Sequence, residues 1–184
     1  MQSNSEVAVF GGGCFWCTEA VFLEIKGVTS VASGYSGGHV ADPNYHQVCG
    51  ETTGHAEVVR IEFDPAQITF SELLEVFFAT HDPTTLNSQG ADHGARYRSV
   101  VLHTSEAQRD QTAEYIKELD AAGDLPGPVV TQIAEFEVFY EAEPEHRQFY
   151  ANNSASMYCQ VVISPKVAKV RQKFAKRLRV AADG

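Results

Sequence analysis

The chain has 184 residues, 43% of them hydrophobic, which is enough to bury the core of one domain spanning 1–184. Its net charge is −10, yet residues 165–184 carry seven Lys/Arg against one Asp, so an acidic body ends in a basic tail and a broad nucleic-acid surface is not expected. No run approaches the roughly 20 apolar residues that span a bilayer, and MQSNSEVAVF lacks the basic and apolar regions of a signal peptide, so a cytoplasmic protein without membrane association is expected.

A strand at about 6–11 runs into a helix at about 14–25, and a β-rich stretch at 28–35 ends in GYSGG. Residues 37–54, GGHVADPNYHQVCGETTG, show no periodicity and read as a functional loop. A strand at about 55–63 follows. Thr69 and Glu72 then form a capping box before Phe70, Leu73, Leu74, Phe77 and Phe78, whose spacing marks one apolar helix face. Residues 81–97 form a second long loop. Beyond it come a strand (98–103), a helix (105–122, Ser105 and Gln108 as capping box, Gly123 at its end) and a long β segment (129–140). In the basic tail Val167, Val170, Phe174 and Leu178 recur at helical spacing, which predicts a surface helix. This order suits an α+β sandwich of the split-βαβ type, a mixed sheet with helices packed on it and long functional loops.

Four cysteines are too few and too unevenly placed for a secreted disulfide scaffold, and one CxxC without a second pair does not complete a zinc site. Redox or catalytic use of GGGCFWCTEA is expected. Cys14 stands after three glycines at the first turn of a helix, where unpaired N–H groups favour a thiolate, so it is preferred over Cys17 as nucleophile. Two buried structural cysteines would give the same spacing. Phe15 and Trp16 are either core aromatics or a hydrophobic wall beside the thiol.

In HAEVVRIEF, Glu57, Val59, Ile61 and Phe63 share one face. A carboxyl heading an apolar row is open to desolvation, which would raise its pKa and make a general acid; a solvated Glu at a strand end fits the same alternation. Tyr35 and Tyr97 sit beside glycine-containing loops, where a pair of phenols could hold a polar oxygen or simply pack. Asp92 and His93 could belong to such a site or shape the turn. The seven histidines include no HxxxH pair, so no metal centre is expected.

Together, GCFWC with its preceding glycines, GYSGG, TGHAEVV, FDP, HDPTT and DHGARYRS resemble the signature stretches of the A-type peptide-methionine sulfoxide reductases, in the family's order from about residue 7 to at least 163. The resemblance implies a ferredoxin-like α+β core and reduction of the S epimer of methionine sulfoxide, free or in oxidised proteins. By similarity, Cys14 attacks the sulfoxide sulfur, Glu57 protonates the oxygen, and Tyr35 and Tyr97 hydrogen-bond it. Phe15 and Trp16 receive the S-methyl group, and Asp92 shapes the polar side.

Cys14 then becomes a sulfenic acid. The segment NNSASMYCQVV resembles the region with a resolving cysteine, which makes Cys159 the leading partner for Cys14 and thioredoxin, or another dithiol, the reductant. Many members have Gly where this chain has Cys17, so Cys17 is the alternative resolving residue or a relay. Cys49 is taken as structural or incidental. No bound cofactor is implied, and a monomer is expected. Two rival readings are a thiol–disulfide oxidoreductase using Cys14 and Cys17, and a binding module working through the basic C-terminal helix.

Overall fold

The computed structural model describes residues 4–179. In chain order, β1 (Glu6–Gly11), α1 (Phe15–Leu23), β2 (Val28–Ser36), α2 (Tyr45–Cys49), β3 (Ala56–Phe63) and α3 (Phe70–Ala79) lead to a small hairpin, β4 (Ser88–Gln89) and β5 (Asp92–His93). A 3-10 turn at Ala95–Tyr97 precedes β6 (Val100–His103), α4 (Glu106–Ala122), β7 (Gln132–Glu135) and β8 (Phe139–Glu141). The short α5 (Phe149–Asn152), a π-helical stretch at Cys159–Ile163 and α6 (Ser164–Lys173) complete the order.

Six strands form one sheet, β7-β6-β1-β3-β2-β8, antiparallel except for the β6–β7 pair. Its central four strands are two interleaved βαβ units: β1-α1-β2 straddles β3, and β3-α3-β6 straddles β1. The ferredoxin-like α+β core expected above is therefore present. Period-2 alternation sorts β3 between two cores. Val59, Ile61 and Phe63 join α1, α3 and α6 on the helix side, while Ala56 and Val58 join Val9, Val100 and Leu102 on the other face.

That second face explains why residues 129–140 are not one long strand. The segment pairs as β7 at one edge and β8 at the opposite edge, and Phe136 and Phe139 pack beneath the sheet. The loop over 37–54 also holds α2, whose Asn44 and Gln47 form a complete capping box. At the expected boxes only the N-cap half forms. Thr69 accepts the Glu72 N–H at 3.1 Å, but the Glu72 carboxylate turns to Arg177 at 3.5 Å. Ser105 accepts from Gln108, whose side chain instead donates to the Val7 carbonyl at 2.8 Å and ties α4 to β1.

The basic tail is a docked element. Val167, Val170 and Phe174 are buried, and the arginines pair within the chain, Arg171 with Glu24 at 2.9 Å and Arg177 with Glu75 at 2.7 Å. Residues 180–184 of that tail lie outside the described residues. Among the described residues no helix is long and apolar enough to cross a membrane.

Candidate active site

The turn from β1 into α1 fixes the first thiol. Gly13 has φ +94, and a Cβ there would come within 2.8 Å of Gln89 Cγ, so only glycine fits. Cys14 follows as the extended N-cap of α1, and its side chain caps nothing. It is only 7% exposed. Burial, together with the neighbouring Cys17 and Glu57, pushes the Cys14 thiol well above its usual range, and the Trp16 N–H pulls it down only partly. At this helix start burial thus opposes the thiolate that the open N–H groups favour. Cys17 moves the other way. A hydrogen bond with Cys14 draws it down to about 7 against its own burial, aided by Lys166; the Tyr158 hydroxyl lies 3.8 Å from the Cys17 Sγ.

Strand pairing supplies the acid. Tyr35 on β2 and Glu57 on β3 are register partners, and Glu57 is 1% exposed beneath α1. One carboxyl oxygen accepts the Phe15 N–H at 3.2 Å. The other, Oε2, has no hydrogen-bond partner among the described residues, and neither has Arg96 Nε, 3.9 Å away. Burial raises the Glu57 pKa to about 8, with the Phe15 N–H and Arg96 opposing, so the group is mainly neutral at pH 7. Tyr97 accepts from Arg96 Nη2 at 3.0 Å, and burial lifts its pKa to about 12. The Tyr35 hydroxyl donates to Glu143 at 3.2 Å, and burial also raises its pKa. Asp92 accepts from the Tyr158 hydroxyl at 2.8 Å. Its neighbour His93 is exposed on the hairpin.

Aromatic rings complete the surroundings. Phe15 is wholly buried, with ring centroids 5.7 Å from Tyr35 and 5.2 Å from His146. Trp16 is half-buried; its Nε1 donates to His146 Nδ1 at 3.0 Å, and its face stacks on Phe149 at 3.7 Å. Because the indole only donates, His146 carries its proton on Nε2, 3.3 Å from Glu143. Cys159 is fully buried on the π-helical stretch, which packs against α1. Cys49 is partly exposed, and its carbonyl accepts from Arg96 at 2.8 Å.

A family profile described as Peptide methionine sulfoxide reductase matches residues 6–178. The chain belongs to this family. It is 53% identical over 178 residues to peptide methionine sulfoxide reductase MsrA of Ralstonia nicotianae, covering 95% of this chain and 93% of that relative. Mxr1 of Saccharomyces cerevisiae in reduced form superposes with a TM-score of 0.79 at 31% identity, over 86% of this chain and 91% of that one. The same yeast protein solved in complex with Trx2 gives a TM-score of 0.57 at 23% identity, over 81% and 87% of the two chains, a likeness of fold.

In this family member the sequence reading missed Arg96, Glu143, His146 and Tyr158. Tyr158 had a signal, its place beside Cys159, and Arg96 had one, its place beside Tyr97 in DHGARYRS; Glu143 and His146 meet Tyr35 and Trp16, partners distant in the chain. Glu143, Glu145 and His146 bring ligand atoms within 4.8 Å of one another, but Glu143 already serves Tyr35, the Tyr45 N–H and His146. A cavity of about 790 Å³ opens elsewhere, between α3, α4 and α6. Its apolar floor and Lys166, Lys169 and Lys173 hold neither Cys14 nor Glu57, so the chemistry and the cavity size point to different places. The thiols, the neutral acid and the phenols converge at the former.

Proposed function

We propose that the chain reduces methionine S-sulfoxide, free or within oxidised proteins, to methionine, with Cys14 as the sulfur that takes the oxygen. The observation that carries this reading is the buried, neutral Glu57 carboxyl, one oxygen free of partners among the described residues, set between the Cys14 helix start and the Tyr35 and Tyr97 phenols.

Cys14 passes its proton to Cys17 and attacks the sulfoxide sulfur. The attack joins the Cys14 Sγ to the sulfoxide sulfur while Glu57 protonates the oxygen; the oxygen then passes to Cys14 as its bond to the methionine sulfur and the new S–S bond both break. The methionine sulfur leaves with the electron pair, and Cys14 is left as a sulfenic acid. A second thiol then displaces water to give a disulfide. Cys159 is the favoured resolving residue because its stretch packs against α1, with Cys17 as the alternative.

A dithiol reductant, thioredoxin by likeness to the yeast protein solved with Trx2, returns both sulfurs to thiols. Trp16 supplies the accessible edge of the methyl site, Phe15 the layer behind it, and Asp92 holds Tyr158 over the thiols. Every group comes from one chain, 1–184 acting as a single catalytic unit, so a monomer suffices and no bound cofactor is needed. The cytoplasm, with its reducing dithiols, is the compartment this chemistry calls for.

The test is release of methionine from the reduced protein given one equivalent of the S epimer. Cys14→Ser should release none while its circular dichroism stays that of the parent. Turnover retained in that variant would overturn the reading.

A further inference from the structure

We propose that Arg96 is a catalytic residue of this site, its Nε–H and the free oxygen of Glu57 together holding the sulfoxide oxygen. The inference rests on the function proposed above and deepens it.

Glu57 Oε2 and Arg96 Nε are the two buried side-chain polar atoms without a hydrogen-bond partner among the described residues. Buried polar atoms are nearly always paired, so two orphans side by side call for an explanation. At 3.9 Å they are too far apart to bond to each other. An oxygen lying about 2.8–3.0 Å from each would bridge them, and this is ordinary hydrogen-bond length.

The rest of the guanidinium is fixed, which aims the Nε–H. Nη1 donates to the Cys49 carbonyl at 2.8 Å and to Glu51 at 3.1 Å, and Nη2 donates to the Tyr97 hydroxyl at 3.0 Å. The guanidinium also lies 4.5 Å from the Tyr97 ring centroid. Gly94, at φ +132, is part of the same clamp: a Cβ there would run into the Glu51 carboxylate. Both terminal nitrogens are thus engaged, and Nε is the one guanidinium nitrogen without a partner among the described residues, 3.9 Å from the acid.

The chemistry needs such a donor. As Cys14 bonds to sulfur, the S=O electron pair moves onto oxygen, and the charge must be held until the Glu57 proton arrives. Arg96 is always charged and only donates. It stabilises the oxygen first and the Glu57 carboxylate afterwards, and through Nη2 it polarises Tyr97 as a further donor. Its effect belongs to the transition state, so it should appear in kcat more than in KM.

The experiment is single-turnover methionine release as a function of pH for wild type, Arg96→Met and Arg96→Lys, each checked for fold by circular dichroism. Besides Arg96, the titratable groups facing Glu57 are Cys14, Cys17, Tyr35, Tyr45, Asp92 and Tyr97. All six remain in both variants. Arg96→Met should slow release about 10²-fold or more, the loss seen when a charge-stabilising donor is removed. It should also move the basic limb of the profile to higher pH, because Glu57 loses its cationic neighbour. Arg96→Lys should recover part of the rate and most of the limb position, because it keeps the charge but not the fork.

A shifted limb with an unchanged plateau rate would make Arg96 a distant charge and overturn the proposal, as would a Met variant within threefold of wild type. If the Met variant does not fold, a Lys variant at full rate overturns it alone. Failure of the wild type to release methionine would instead overturn the function on which the inference rests.

Discussion

The hydroxyl of Tyr35 donates to the carboxylate of Glu143 at 3.2 Å, although its register partner across the sheet is Glu57. A phenol has one proton, and that of Tyr35 is committed. Tyr97 accepts from Arg96 at 3.0 Å and keeps its own proton for a ligand. The two tyrosines are therefore unequal donors. Tyr97→Phe is expected to slow single-turnover methionine release by about 10²-fold, as for loss of a donor to a developing oxyanion, and Tyr35→Phe by less than about 10-fold. The opposite order would mean that Glu143 gives up Tyr35 when substrate binds.

Glu57 also leaves a mark on stability. Its pKa is about 8 folded, against about 4.3 for an unperturbed Glu. Between those values the folded state binds more protons than the unfolded state, so stability falls as pH rises from about 4.3 to about 8 and then levels. Glu57→Gln has no such titration. Relative to the Gln variant, wild type should lose about 5 kcal/mol between pH 4 and pH 9 in urea unfolding, at about 1.4 kcal/mol per pKa unit. A constant difference across that range would show Glu57 already ionised in the fold.

Local patterns carried the core of the fold. Alternation in HAEVVRIEF placed Glu57 with Val59, Ile61 and Phe63, and those three apolar residues line the helix-side core. Thr69 marks the start of α3 as expected. The break at 136–138 was hidden, since two short strands at opposite sheet edges have the same local pattern as one long strand. In the site, Cys14, Glu57, Tyr35 and Tyr97 are brought together from motifs far apart in the chain. What could not be read was the pairing among polar groups: Trp16 with His146 is a contact across 130 residues, and Tyr35 with Glu143 one across 108. The favourable helix start of Cys14 was legible, but the depth of its burial was not.

Recycling separates the two candidate partner thiols. Oxidation of the protein by one equivalent of methionine S-sulfoxide should give a Cys14–Cys159 disulfide by peptide mass mapping. Cys159→Ser should keep the first equivalent of methionine and lose thioredoxin-dependent turnover beyond it. A Cys14–Cys17 link in wild type, with full turnover in Cys159→Ser, would transfer the resolving role to Cys17.

The resting state should contain a thiolate, and it should sit on Cys17. Burial holds Cys14 protonated, while its hydrogen bond to Cys17, with Lys166 near, draws Cys17 down to about 7. A free thiol ionises at about 8.5. Ultraviolet thiolate absorbance of the reduced protein should therefore rise through about pH 7, and this step should vanish in Cys17→Ser. Lys166→Met should move the same step upward, because the lost ammonium no longer favours the anion. If the step survives in Cys17→Ser and disappears in Cys14→Ser, the thiolate belongs to Cys14, and the helix start outweighs burial after all.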